Sequence, residues 1–497
     1  MKNEQPEFHD VIVVGAGVAG LRCANQLVRV EGVKDVLVVE ASDRVGGRVM
    51  NTTSFIPGMS IDVGAEFMHG ANTTLTRLAE KLNIGLREIF TWAQGDGGPS
   101  KPAPDGGIGY YYIGDQKRML KYDDDDEDFR KFNVSVAALS DLEDIDQIAP
   151  EKSMSDYFNE VGLHPSMMNL CEAGYANTAG GPLQEISMRI TCRYEKQWIE
   201  LEDEGDYRVV PSFMRFVEYF AEGVTIRLNW PVKSVDYSES DRILVTSTLG
   251  KQLSCRVLVV TVSTAVFSKI TYTPALPEKK INALTSFGMH RAGKVLLHMS
   301  ERFWPEDAHG VVCSDCFLPE FWFNSTHGIG RLKPNGDMAS AVTEVTHSDH
   351  RRAQHLITGF AGGVCADGFV GMPHEKIIEG FLDQLDMIYG TDEQPFPAHQ
   401  FFVKGMYKDF GDEPWIGGGY AFPRVGQLDS ASKDLAAPVD DRIFFAGEAT
   451  SFEQPGMSVH AAVDTGTRAS AQVASALRGS DVKKTTLNIS IDFTCID

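Results

Sequence analysis

The sequence predicts an α/β fold of two intertwined domains, one of them assembled from separate stretches of chain. Three observations lead there. The apolar run Asp10-Val-Ile-Val-Val14 ends at a glycine and precedes a small-residue helical segment, as a buried parallel strand feeding a helix does. A run of the same kind, Ile443-Phe-Phe445, enters another glycine turn and helix near the opposite end of the chain. Strand-like segments also recur in the middle, at 208–210, 224–228, 232–237, 242–247 and 257–262. A chain of 497 residues is long for one domain and short for three.

Taken in order, the first strand opens into Gly15-Ala-Gly17-Val-Ala19-Gly20. Strand, glycine turn and helix in that sequence form a dinucleotide-binding, Rossmann-like fingerprint. Gly15 serves the tight turn, Gly17 lets backbone approach a pyrophosphate, and Gly20 lets helix pack on strand. The helix N-terminus then offers free N–H groups and partial positive charge to phosphate. Val36–Glu40 reads as the second strand, with Glu40 placed for a ribose diol. Residues 71–84 read as helix. From 91 to 130 the pattern is turn-rich, with WAQGDGGPSKPAPDGGIGYYY and the acidic run DDDDEDF, and is expected to be a surface insertion. Helical periodicity covers 136–192, mixed segments cover 276–410, and a last unit runs over 442–478. No repeat of solenoid period occurs.

Composition narrows the class. The chain is 43% hydrophobic and 23% charged, enough apolar residue for a large core. A net charge of −23 argues against nucleic acid, which wants a basic stripe. It suits a cationic small molecule, or solubility alone. Eight cysteines are scattered, and the one C-x-x-C, Cys313-Ser-Asp-Cys316, lacks a second pair. Reduced thiols and no metal site are expected. The polar start MKNEQPEFHD shows no apolar leader, and the run 11–21 is too short to span a bilayer. The expectation is a soluble, cytoplasmic monomer or homodimer with no membrane attachment, whose five N-x-S/T sequons go unmodified.

Further blocks point to one family. Glu40-Ala-Ser42-Asp-Arg44-Val-Gly46-Gly47-Arg48 is followed by Asp62-Val-Gly64-Ala65-Glu66-Phe67-Met-His69-Gly70. Arg208-Val-Val, Asn229-Trp-Pro-Val232, Val260-Thr-Val-Ser-Thr-Ala-Val266, Gly293-Lys294-Val295, Gly417-Gly-Gly419-Tyr420 and Phe445-Ala-Gly-Glu448 come later, in order. Together they resemble the flavin-containing amine oxidases over nearly the whole chain. Ser263 and Ala461 depart from the family's usual proline and glycine, but both are small. The resemblance implies an FAD-dependent oxidase: flavin takes hydride from a carbon bearing an amine, water hydrolyses the imine, and O2 returns the flavin with release of peroxide.

It also implies a division of the chain. Residues 1–90, 206–275 and 430–480 would form the FAD domain, 91–205 and 276–429 a substrate domain of mixed sheet plus helices, and 481–497 a tail. Cofactor contacts would come from Gly15, Gly17, Ala19, Gly20, Glu40, Ser42, Arg48, Gly64, Ala65, Glu66, Phe67 and Val232. An arginine in the second glycine turn can set a guanidinium on the pyrophosphate. Phe410 and Trp415 lie in the block that backs the flavin. Glu448 would take ribityl or pyrophosphate hydroxyls. The helix opening at Ser458 and Val459 would face the flavin's carbonyl edge and favour the negative charge of the reduced ring.

At the reacting end, Lys294 stands at the family's flavin lysine and would hold a water there. Tyr420 resembles the aromatic wall that meets the amine. Gly419 occupies the place of the cysteine that bonds flavin in monoamine oxidases, so FAD is expected to be non-covalent. Ser458 falls where those enzymes place a second cage tyrosine, leaving one aromatic wall and room for a longer chain. His69, in a block closest to polyamine and spermine oxidases, could bond a distal substrate nitrogen. The loop Tyr194–Glu204 would lend tunnel acids, Glu195 first and then Glu200, for a distal ammonium.

The expected activity is oxidation of a secondary amine of spermine, spermidine or an acetylated form. An L-amino-acid oxidase would want an arginine clamp for carboxylate, whereas these tunnel candidates are acids. A demethylase-like role would want an interaction arm or extra domain, and no long helical insertion shows. A flavin-binding interaction protein without turnover sits poorly with intact Lys294 and Tyr420.

Overall fold

The computed structural model describes residues 5–89, 102–104, 106–121, 124–202, 205–325, 331–332, 338–339 and 354–479. The tail 481–497 lies outside them. Two large sheets organise the chain. In the first, the spatial order is Thr225–Arg227, Val36–Val39, Glu7–Val14, Gln252–Val260, Ile243–Ser247, Val232–Asp236 and Thr271–Thr273, with Ile443–Phe445 as an eighth strand on Gln252–Val260. Glu7–Val14 is parallel to both its neighbours. Its side chains alternate between two cores: Val11 and Val13 face one, Ile12 and Val14 the other. Burial on both faces is why the strand is a continuous apolar run.

The two ends of the chain meet on one face of this sheet. Helices Val18–Arg29 and Val459–Leu477 share a core through Leu21, Ala24, Val463 and Val473. Gly466 permits the contact, because a Cβ there would stand 2.4 Å from the Ala19 carbonyl oxygen.

The second sheet has seven strands, in the order Phe402–Asp409, Ala292–Met299, His355–Gly362, Glu320–Ser325, Ala308–Ser314, Ile108–Ile113 and Arg118–Lys121. It is mixed: Ala308–Ser314 and Ile108–Ile113 are parallel, while the other neighbours are antiparallel. Helix His374–Tyr389 packs on it through Ile377, Phe381 and Leu385.

Two expectations are corrected here. Ile108–Ile113 is no part of a surface insertion. All six of its residues are buried, with Tyr110 and Tyr112 in one core and Tyr111 in another. Aromatic residues suit a pleated, enclosed surface, and the glycine-rich flanks hid the strand. Residues 91–101, 105, 122 and 123 of the same stretch lie outside the described residues. The acidic run is in part a helix start, since Asp126 accepts from the Phe129 N–H at 2.8 Å and caps Glu127–Ala137. The second correction concerns Tyr194–Glu204. It continues helix Met188–Gln197 into a wide π-type turn, Trp198–Glu202, rather than forming a loop; residues 203–204 lie outside the described residues. Among the described residues, no helix is long and apolar enough to cross a membrane.

Candidate active site

A cavity of about 410 Å³ opens at the carboxyl ends of the parallel strands, where Val14, Val39, Thr261 and Gly447 meet residues of the second sheet. In open α/β sheets that is where ligands bind. One end is built from the first glycine turn. Gly15 has φ +108°, and a Cβ on it would come within 2.7 Å of Thr261 Oγ1. A Cβ on Gly20 would lie 2.0 Å from the Gly15 carbonyl oxygen, so Gly20 serves helix packing and does not line the cavity. Gly17 is the opposite case: nothing lies within 4 Å of a Cβ built there. It is the N-cap of Val18–Arg29 and brings no side-chain cap, so the helix's first N–H groups face the cavity uncapped by a side chain.

Glu40 lines the same end, with Oε2 accepting from the Ala16 N–H at 2.7 Å and Oε1 from Ser42 N–H and Oγ–H at 2.9 and 2.8 Å. Ala19, Gly64, Ala65, Phe67, Val232, Phe410, Trp415 and Val459 all border the cavity. Arg48 does too, but its Nη1 donates to Glu448 Oε1 at 2.8 Å and to the Gly419 carbonyl at 3.0 Å. Buried Glu448 has no hydrogen-bond partner for Oε2 among the described residues. Ser458 caps the second helix, its hydroxyl accepting from the Ala461 N–H at 3.1 Å. Two helix N-termini thus flank one cavity.

Lys294 is buried at the opposite wall. Its ammonium donates to the Gly64 carbonyl at 2.7 Å, to Glu66 Oε2 at 2.8 Å and to the Asp62 carbonyl at 3.4 Å. Glu66 also accepts from Trp322 Nε1 at 2.9 Å and lies 3.2 Å from Arg208 Nε in an ion pair that lacks hydrogen-bond alignment. Burial opposes ionisation of Glu66, yet the Lys294 and Arg208 charges overcome it and hold the carboxyl below its usual range. Burial, with the nearby Glu66 charge, pushes Asp62 up to about 7. Tyr420 lines the cavity and its hydroxyl donates to the Thr178 carbonyl. His69 Nδ1 and Asp206 Oδ1 are 2.5 Å apart, and the imidazole stands edge-on to Trp198.

The two expected tunnel acids part company. Glu195 is half-buried, accepts from the Tyr175 hydroxyl at 2.5 Å and is near enough to feel the His69 charge, while burial raises its pKa. Glu200 is exposed and pairs loosely with Lys196 at 4.0 Å, and neither Glu195 nor Glu200 borders the cavity. Sequence reasoning missed Asp206, Arg208, Trp322 and above all Glu320. Glu320 lines the cavity, and burial pushes its carboxyl up to about 7 against weaker pulls from Asn177, Thr178, His69 and Lys294. A signal was available: a lone acid in the aromatic strand Glu320-Phe-Trp-Phe323.

The flavin containing amine oxidoreductase family matches residues 18–474. The chain belongs to that family. As such an oxidoreductase it resembles human lysine-specific histone demethylase 2, at 27% identity over 94% of this chain and 54% of the relative. It is 24% identical to probable polyamine oxidase 4 of Arabidopsis thaliana, over 94% of this chain and 87% of that one. The chain therefore spans about half the length of the demethylase relatives it matches. Among solved structures, cyclohexylamine oxidase from Brevibacterium oxydans aligns with TM-score 0.74 at 21% identity, over 95% of this chain and 99% of that one. A putrescine oxidase double mutant aligns with TM-score 0.73 at 21% identity, over 94% and 99%. These likenesses show the two-domain flavoprotein fold. The residues fit the group the family carries: open space at Gly17, two helix N-termini, and an unpartnered buried oxygen on Glu448.

Proposed function

We propose that this amine oxidoreductase oxidises a secondary amine of a small polycation such as spermine, spermidine or an acetylated form, on FAD held non-covalently. The carrying observation is the pair of acids that border the cavity around His69, Asp206 in contact and Glu320 within its electrostatic reach, with Glu195 also near His69 but outside the cavity lining. A cavity end of that kind suits a distal ammonium. When bound, flavin supplies the hydride acceptor and, with O2, the route to hydrogen peroxide.

The chain's own groups divide the remaining work. Gly17, Glu40 and the Val18–Arg29 N-terminus would hold the adenylate and pyrophosphate part, and Glu448 and the Val459–Leu477 N-terminus the other. Tyr420, fixed through its hydroxyl on Thr178, would present its ring to the amine. Lys294 would hold a water by giving up its longest bond, that to Asp62, while Glu66 keeps the ammonium in place. Non-covalent attachment is supported at Gly419, where a Cβ would meet the Ala292 Cβ at 2.7 Å. A side chain there would need the neighbouring strand to move.

A second reading, oxidation of a methylated lysine side chain, is favoured by the identity to the human demethylase. A peroxide-release screen over spermine, spermidine, N-acetylspermine and dimethyl-lysine peptides separates the two. Peroxide with the polyamines supports the first reading; peroxide with the peptides alone replaces it by the second.

A further inference from the structure

We infer that Glu320 is the carboxylate that pairs with the ammonium of the incoming substrate and sets the demand for a cationic amine at this point of the cavity. The inference rests on the amine-oxidase reading and adds to it the residue that recognises charge. Sheet register supplies the first argument. Lys294 lies opposite Phe360, and Phe360 lies opposite Glu320 on the next strand. Residues in one such row project to one face, and all three border the cavity. Two strand spacings separate Lys294 from Glu320, roughly 10 Å between backbones, with the Phe360 ring as the floor between. Trp322, two residues along, shares that face and donates to Glu66, whereas Phe321 points into the core.

Charge supplies the second argument: among the described residues, six carboxylates line the cavity. Glu66 is neutralised by Lys294 and Arg208, Glu448 by Arg48 and Glu413 by Lys408, while Asp206 shares a hydrogen bond with His69. Glu40 is satisfied by Ala16 and Ser42 donors. Glu320 forms no ion pair with a described residue. Among the described residues, its Oε2 accepts two long hydrogen bonds, 3.4 Å each from Asn177 Nδ2 and Thr178 Oγ1. Glu320 is half-buried in the cavity wall, and a carboxylate so placed and so weakly partnered is less favourable as an ion until a cation reaches it. Its upward-shifted pKa fits that state.

The third argument is location. Thr178 touches both groups: its carbonyl accepts from the Tyr420 hydroxyl and its Oγ1 reaches Glu320. An amine resting on the Tyr420 ring is therefore one residue away from the Glu320 oxygens.

Glu320→Gln preserves shape and the Asn177 and Thr178 contacts while removing the charge. The flavin-loaded wild type and variant are mixed anaerobically with spermine, and in parallel with a dimethyl-lysine peptide, over a range of concentrations. With the probe that reduces the wild type, the apparent Kd in Glu320→Gln rises by about tenfold or more, as loss of one charge-assisted hydrogen bond implies. The limiting reduction rate stays within about threefold, the split expected when binding alone is lost. Glu320→Asp falls between the two, and serves as the test variant if the glutamine form does not retain flavin. An apparent Kd within about twofold of wild type overturns the inference and leaves the amine-oxidase reading standing. A wild type reduced by neither probe overturns both.

Discussion

Lys294 shows how one residue joins stability and chemistry. Its ammonium is buried against Glu66 and two carbonyls, and Glu66 in turn faces Arg208 and Trp322. Removing one member of a buried pair leaves the other charge uncompensated, at a typical cost of about 3–5 kcal/mol; the remaining Arg208 places this case near the lower end. Lys294→Met is expected to retain flavin, to lower stability in urea by about 3 kcal/mol, and to slow flavin reduction or reoxidation by at least about tenfold. Wild-type turnover in that variant would remove Lys294 from the chemistry. This position was legible beforehand because its motif is local. Glu320 was not, because its meaning comes from a row across three strands that no sequence window contains.

At the scale of elements, the parallel strands and both glycine turns were legible because burial on two faces writes an unbroken apolar run. Ile108–Ile113 was obscured by neighbouring glycines, and the acid-rich turn after Gln197 by its polarity. The Val459–Leu477 helix depends on Ser458 at its N-cap. Ser458→Tyr removes that cap, worth about 1 kcal/mol, and puts a second ring into the cavity. Spermine oxidation in a coupled peroxide assay should fall several-fold, and unchanged turnover would discard the idea of a single aromatic wall. A pH prediction attaches to helix Glu278–Ser286. Buried Lys280 donates to the Asp434 and Leu435 carbonyls and lies over the Phe445 ring, and burial drives its pKa down from 10.5 to about 7. Between those values the unfolded chain binds more protons than the folded one, so this lysine makes stability rise with pH across that window. Lys280→Met should flatten the rise, read as Tm against pH; an unchanged slope would contradict the assignment.

For the molecule as a whole, the two ends of the chain converge on one sheet and set two helix N-termini at one cavity, an arrangement that suits the extended dinucleotide proposed above. Val18–Arg29 and Val459–Leu477 pack together through Gly466 and both open on the same cavity. The second sheet closes that cavity with Lys294, Phe360 and Glu320 in one row. Family membership and fold follow from order and spacing along the sequence, whereas the amine's identity resides in side chains gathered from distant segments. The net charge of −23 belongs to this scale too, and is compatible with a cationic substrate as well as with solubility alone. Polyamine oxidation as proposed requires that the polyamine give its hydride to flavin in this cavity. Anaerobic mixing of the flavin-loaded protein with spermine tests it most directly. Full bleaching of the flavin absorbance band, saturating with spermine, is expected; a band that keeps its absorbance at millimolar spermine would rule out polyamine oxidation here.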